Sequence, residues 1–146
     1  MKYNGKFNIG IFLGKILADA LKDKFNEWEF DYIVPVPLHH LKRAERGYNQ
    51  SDFIARGIKS IIKIPINAKI LIRTRFTESQ TNLNMQERNE NMKNAFSVKR
   101  KKLLKGKTIL LIDDVITTGA TISECGRILL ENGAVKVYAA SVAIAD

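Results

Sequence analysis

The stretch KTILLIDDVITTGAT, residues 107–121, constrains this chain more than any other. Ile109 to Ile112 form an unbroken apolar run, and a strand accommodates such a run when both of its faces are covered. Two adjacent acids, Asp113 and Asp114, end the run, and a loop of small residues leads into TISECGRILLENG. That segment reads as a helix, with Thr121 and Glu124 at capping-box spacing and Gly133 as its stop. A strand passing to a helix through such a loop leaves free backbone N–H groups and a positive dipole end just beyond the sheet's carboxyl edge. This is a seat for an anion such as phosphate.

The side chains divide the work. Thr117, Thr118 and Thr121 add hydroxyl donors, Gly119 lets the backbone approach closely, and nothing from Thr117 through Ala120 to Thr121 repels an anion. Asp113 and Asp114 instead accept hydrogen bonds, which suits sugar hydroxyls or a hydrated divalent cation beside the phosphate. Acids beside an anion seat suggest a ribose phosphate. A P-loop is excluded by spacing, because Lys101 stands where its first glycine belongs and Gly106-Lys107-Thr108 opens a strand instead of a helix. Gly119 to Gly126 does not form the glycine pattern of a dinucleotide-binding turn. A two-component receiver needs more strand and helix units after its acids than the residues after Asp114 supply.

The rest of the chain alternates in the same way. Residues 7–25 set Ile9, Phe12, Leu13, Ile16, Leu17, Ala20 and Leu21 near helical spacing, with Asn8 as the expected N-cap. DYIVPVP reads as a short strand ending near Pro35 and Pro37, which cannot donate ladder hydrogen bonds, and a basic loop follows. From Asn49 a second helix carries Phe53, Ile54, Ile58, Ile61 and Ile62 on one face and ends before Pro65. AKILIRTR is a strand. Residues 76–94 are polar, with a helix start at Asn84 to Glu87, and form the expected mobile segment. VKVYAASVAI reads as a further buried strand. The expected class is α/β, a parallel sheet flanked by helices.

A length of 146 residues with 45% hydrophobic residues suits one domain. Lys and Arg number 24 against 15 Asp and Glu, leaving a net charge of +9. That field draws polyanions, and surface lysines serving only solubility account for it equally well. The run KRKKLLKGK from Lys99 to Lys107 reads first as a solvated hairpin face. Cys125 is the single cysteine, which excludes an intrachain disulfide or a cysteine-based zinc cluster within this chain and points to a reducing compartment. No apolar run approaches the roughly 18 residues that cross a bilayer, and MKYNGKFNIG lacks a signal-peptide core. A cytoplasmic location is the expectation.

ILLIDDVITTGAT resembles the signature of type I phosphoribosyltransferases, which bind 5-phosphoribosyl-1-pyrophosphate (PRPP). Two further segments narrow the resemblance to the ComF branch, similar to the transferase half of amidophosphoribosyltransferase: VPVPLHHLKRAERGYNQS from Val34 and RTRFTESQTNLNMQERNENMKNAF from Arg73. It covers nearly everything after Tyr3. The resemblance implies a Rossmann-like fold with a minimal hood, a helical segment over residues 1–30 and a PRPP-binding core over 31–146. It implies that Asp113 and Asp114 hold the ribose hydroxyls as the catalytic acids and that Thr117 to Thr121 wrap the 5′-phosphate. His39, His40, Lys42, Arg43 and Arg46 form the implied pyrophosphate loop, with Lys42 and Arg46 foremost.

Arg73, Arg75, Gln80 and Arg88 belong to an implied flexible loop that closes over the ligand, although Arg88 and Asn91 serve equally well as staples to the body. Mg²⁺ is implied with PRPP, and His39 and His40 have no third ligand at zinc spacing. The resemblance further implies a role in DNA uptake, with single-stranded DNA and a competence helicase as partners and a homodimer as the assembly. ComF proteins usually carry an N-terminal zinc-ribbon module with paired cysteines. This chain starts just upstream of Tyr3, so it is expected to lack that module.

Overall fold

The apolar run at Ile109 to Ile112 becomes the middle of a sheet because cores form on both sides of it. The structure, a computed structural model, describes residues 4–38, 40–74, 84, 86–87 and 93–145. Along the chain these form α1 (Asn4–Ala20), α2 (Lys22–Glu27), β1 (Tyr32–Pro35), α3 (His40–Arg46), α4 (Gln50–Ile62), β2 (Leu71–Arg73) and β3 (Phe96–Val98). The last four are α5 (Lys101–Leu104), β4 (Thr108–Ile116), α6 (Ala120–Glu131) and β5 (Lys136–Ile144). The main sheet has the order β1-β4-β5 with all pairings parallel, as the α/β expectation requires. Ile66 adds a parallel bridge to Ile33 on the outer side of β1.

Successive β4 residues face opposite layers. Ile109 and Leu111 pack with Val34, Cys125 and Leu129 under α6, while Leu110 and Ile112 pack with Ile33, Ile54 and Ile58 under α4. Each such side chain stabilises the fold by about 1.5–3 kcal/mol through burial. A polar residue at any of the four positions would lose that and strand a polar group.

Helix α4 follows its sequence signals. The Asn49 carboxamide caps it by accepting from Ser51 N–H at 3.2 Å, and Lys63 closes it in the left-handed region at φ 58°. Helix α1 crosses α4 at unusually short range, because glycines meet there. A Cβ on Gly57 would lie 2.1 Å from Ile11 O, and one on Gly14 would lie 2.1 Å from Ile54 O.

Several expectations are corrected. Helix α1 begins at Asn4, so Asn8 lies inside it and caps nothing, and the helical stretch breaks at Leu21 before α2 resumes. β4 runs through both acids to Ile116 instead of stopping at them, since β5 keeps pairing alongside as far as Ile144. β5 is an edge strand in which Ala140 alone is buried. β3, unexpected from its polar surroundings, pairs antiparallel with β2 and buries Phe96. The basic run contains a short helix, α5, pinned by buried Leu104, in place of a hairpin. Asn84 and Glu87 exchange reciprocal hydrogen bonds of 2.8 and 3.1 Å, the helix start that their spacing predicts. The rest of the expected mobile segment lies mostly outside the described residues.

Candidate functional site

The cavity arises where β1 leaves β4. Pro35 pairs with Ile112, Val36 N–H donates to Ile112 O at 2.8 Å, and Pro37 has no N–H with which to continue. Asp113 and Asp114 therefore emerge from the sheet with β5 on one side and open space on the other. The chain after β1 crosses to the α4 face, whereas the chain after β4 crosses to the α6 face. Such a switch point at the carboxyl edge is where open α/β sheets bind ligands.

A cavity of about 110 Å³ lies there, lined by Val36 to Leu38, Arg46, Asn49 to Ser51, Arg73, Asp113, Asp114 and Thr121. Asn49 holds its far wall in place: buried, it caps α4 and donates through Nδ2 to Val36 O at 2.9 Å. Sequence reasoning saw only a helix start in this residue. Ser51 Oγ reaches across to Asp113 Oδ1 at 3.5 Å, another link that periodicity does not announce.

The acid pair is electrostatically tense. Burial pushes the Asp113 carboxyl up to about 7, and the neighbouring Asp114 carboxylate adds to the effect. The Asp114 N–H, donating to Asp113 Oδ1 at 2.9 Å, and the Ser51 hydroxyl oppose it. Asp114 in turn accepts from Val115 N–H at 2.8 Å.

The sign of the resulting pH dependence follows from proton counting. Between about pH 4 and pH 7 the native protein holds a proton at Asp113 that the unfolded chain has released, so this group's stabilisation is lost as pH rises through about 7. Asp113→Asn is expected to remove that fall. Comparing the melting temperatures of parent and variant from pH 4 to pH 8 checks it, and parallel curves would refute it.

Arg73 stands on the opposite rim at the end of β2, with its guanidinium carbon 5.3 Å from the Phe96 ring centroid. Burial lowers its pKa from the ordinary value, and Cys125 and Asp113 pull it back up. Thr74 N–H donates to Ala95 O at 2.8 Å, so the segment after Arg73 departs and returns at this rim. Glu124 secures the return. It accepts from Asn94 N–H at 3.0 Å and pairs with Arg127, whose hydrogen bonds hold the Glu124 carboxyl below its ordinary pKa. The expected Thr121–Glu124 capping box is therefore not formed, and α6 starts from Gly119 at φ 82° without a side-chain cap.

The loop expected to wrap a 5′-phosphate, Thr117 to Thr121, joins β4 to α6 beside the acids. Asp113, Thr117, Gly119, Ala120 and Thr121 surround a hollow of about 20 Å³, room for about one water molecule. A phosphate group needs that loop to open further. The Thr118 hydroxyl is already engaged, accepting from Ala120 N–H at 3.3 Å.

Of the basic loop, Arg46 lines the cavity, whereas Arg43 turns outward to Asp52 at 3.6 Å. For His40 and Lys42 only the backbone, on α3, is described. His39, Arg75, Gln80 and Arg88 lie outside the described residues. Among the described residues no group of three or more His, Cys, Asp or Glu forms a metal cluster. Two adjacent carboxylates beside an open cavity fit a hydrated hard cation that shares its remaining ligands with a bound phosphate.

Comparisons with known proteins agree with this fold. Residues 10–145 match the phosphoribosyl transferase domain family. Competence protein F of Haemophilus influenzae is 34% identical over 136 residues, spanning 90% of this chain and 59% of that protein. DNA utilization protein YhgH of Escherichia coli is 36% identical over 107 residues, 73% of this chain and 46% of that one. The chain thus spans about half the length of the curated relatives it matches. Glutamine PRPP amidotransferase from B. subtilis superposes with a TM-score of 0.61 at 23% identity, over 91% of this chain and 26% of that one. A parallel sheet with an acid pair at its switch point, matched along nearly its whole length to this domain family, makes the chain a member of the phosphoribosyl transferase domain family, in its ComF competence-protein branch.

Proposed function

We propose that this chain binds PRPP in the cavity at the β1–β4 switch point and transfers its phosphoribosyl group to a nitrogen nucleophile, releasing pyrophosphate. The observation that carries the reading is the meeting of Asp113 and Asp114 with Arg46 and Arg73 around one cavity, next to the Thr117–Thr121 loop. Hydrogen-bond acceptors for a sugar stand between cations for a diphosphate and donors for a 5′-phosphate.

In this mechanism the protein chiefly positions. The two carboxylates accept from the ribose hydroxyls and orient the sugar, the α6 amino end anchors its 5′-phosphate, and Arg46 and Arg73, with Lys42, offset charge on the leaving pyrophosphate. Mg²⁺, when bound, neutralises part of that same charge. The reading requires that water be kept from the electron-poor ribosyl carbon, which it would otherwise capture. Titration calorimetry with PRPP and Mg²⁺ tests binding, and pyrophosphate release with candidate amines and bases tests transfer. Absence of PRPP binding would remove the reading.

A second reading is favoured by a specific surface. Lys101, Lys102 and Lys105 stand exposed on and beside α5, just before the amino end of β4, whereas the acid pair lies toward its carboxyl end. With relatives named for competence and DNA utilization, this supports a single-stranded DNA partner bound away from the PRPP cavity. The triple variant Lys101→Glu, Lys102→Glu, Lys105→Glu is expected to weaken DNA binding and lower the slope of log K against log salt by about 2. PRPP affinity should stay unchanged. Equal loss of both would place the two ligands on one surface.

A further inference from the structure

The cavity wall holds an acceptor that no described residue uses. Gln50 opens α4 between Asn49, whose carboxamide is spent on Val36 O and Ser51 N–H, and Ser51, whose hydroxyl reaches Asp113. Gln50 lines the cavity with Asp113, Asp114, Arg46 and Arg73. Its Oε1 is buried and accepts no hydrogen bond among the described residues. The amide is backed by α1, since a Cβ placed on Gly10 would lie 3.6 Å from both Gln50 Cδ and Nε2. A buried acceptor without a donor is costly, and native proteins rarely keep one unless water or a ligand completes it.

We propose that Gln50 is a ligand-binding residue of this site and that its Oε1 accepts a hydrogen bond from a ribose hydroxyl. The inference rests on the PRPP reading. Chemistry selects the hydroxyl, because the ionised phosphate oxygens of such a ligand only accept and would be repelled by Oε1. The sugar hydroxyls are its donors. Gln50 thus extends the acceptor row of Asp113 and Asp114 onto α4, where it checks that the group between two phosphates is a hydroxylated sugar.

The test is Gln50→Met, which keeps side-chain length and removes the acceptor. Calorimetry with PRPP, ribose 5-phosphate and pyrophosphate, each with Mg²⁺, reads the contact. PRPP and ribose 5-phosphate are expected to bind about three- to tenfold more weakly, as for one lost neutral hydrogen bond, with pyrophosphate unchanged. The ligand-free variant should melt no lower than the parent, because deleting an acceptor that lacks a donor removes a cost.

Unchanged affinity for both sugar phosphates would overturn the inference and leave a water as the partner of Oε1. Equal weakening of pyrophosphate, or a marked fall in ligand-free melting temperature, would overturn it in favour of a structural role. No PRPP binding by the parent protein overturns the ligand reading and this inference together, whereas binding indifferent to Gln50→Met overturns the inference alone.

Discussion

With PRPP at about a hundred times its Kd and Mg²⁺ present, the protein is expected to melt about 5–10 °C higher than without ligand, and Asp113→Asn with Asp114→Asn to show no such rise. The magnitude follows from linkage: a ligand at that excess adds about 2.7 kcal/mol, and a chain of this size gains roughly 2–4 °C per kcal/mol. The carboxamides keep shape and volume but remove the negative charge that, in the proposed function, accepts from sugar hydroxyls or holds a hydrated cation.

The ligand-free double variant is expected to melt higher than the parent at pH 8. The acids stand side by side at a half-buried edge, and burial pushes Asp113 up to about 7. Neutralising Asp113 relieves about 1–2 kcal/mol, less than its full pKa displacement implies because the surroundings relax around the charge. A variant that is more stable and yet unresponsive to PRPP separates lost binding from lost folding. A ligand shift that survives both substitutions would remove the acids from the site.

The second large effect concerns helix packing. Gly57→Ala is expected to lower stability by about 2–3 kcal/mol, or about 5–10 °C, although alanine favours a helix over glycine by up to ~1 kcal/mol. The added Cβ meets backbone on α1: Ile11 O at 2.1 Å and Gly14 Cα at 2.9 Å. Backbone cannot rotate away as a side chain can, so α1 must lift from α4. Gly57→Val should be worse still.

Gly126→Ala on α6 is the control, since a Cβ there meets nothing within 4 Å and the helical preference stands alone. It is expected to stabilise by up to ~1 kcal/mol. Thermal unfolding of the two alanine variants gives opposite signs if the close crossing is real. Equal shifts would mean that the helices do not approach this closely. Because Gly10 on the same helix backs Gln50, a displaced α1 is also expected to disturb the cavity wall.

The residues from Lys107 to Thr121 carried their own structure because the signals there are local. An apolar run marks a strand covered on both faces, small residues mark the turn, and the periodic positions after Thr121 mark a helix. The placement of Asp113, Asp114 and the threonine loop at one sheet edge follows from those signals alone. So does the α4 boundary at Asn49, where the cap is made by the next turn of the chain.

What the tertiary structure decided is which distant segments meet there. Arg73 and Ser51 arrive beside Asp113 because β1 stops pairing at Ile112 and because the β2–β3 ribbon folds over the α6 face. Neither event has a periodic signature, and the polar segment before Ala95 concealed β3, whose pairing partner lies far back in the chain. Arg43 and Arg46 both belonged to the basic loop of the sequence, and the orientation of α3 turned one toward Asp52 and the other toward the cavity. Local chemistry named the paired acceptors and the small-residue loop beside them. Sheet order and the glycine-lined crossing of α1 and α4 chose their companions, because contacts between remote residues depend on how layers stack and not on the spacing of side chains along one strand or helix.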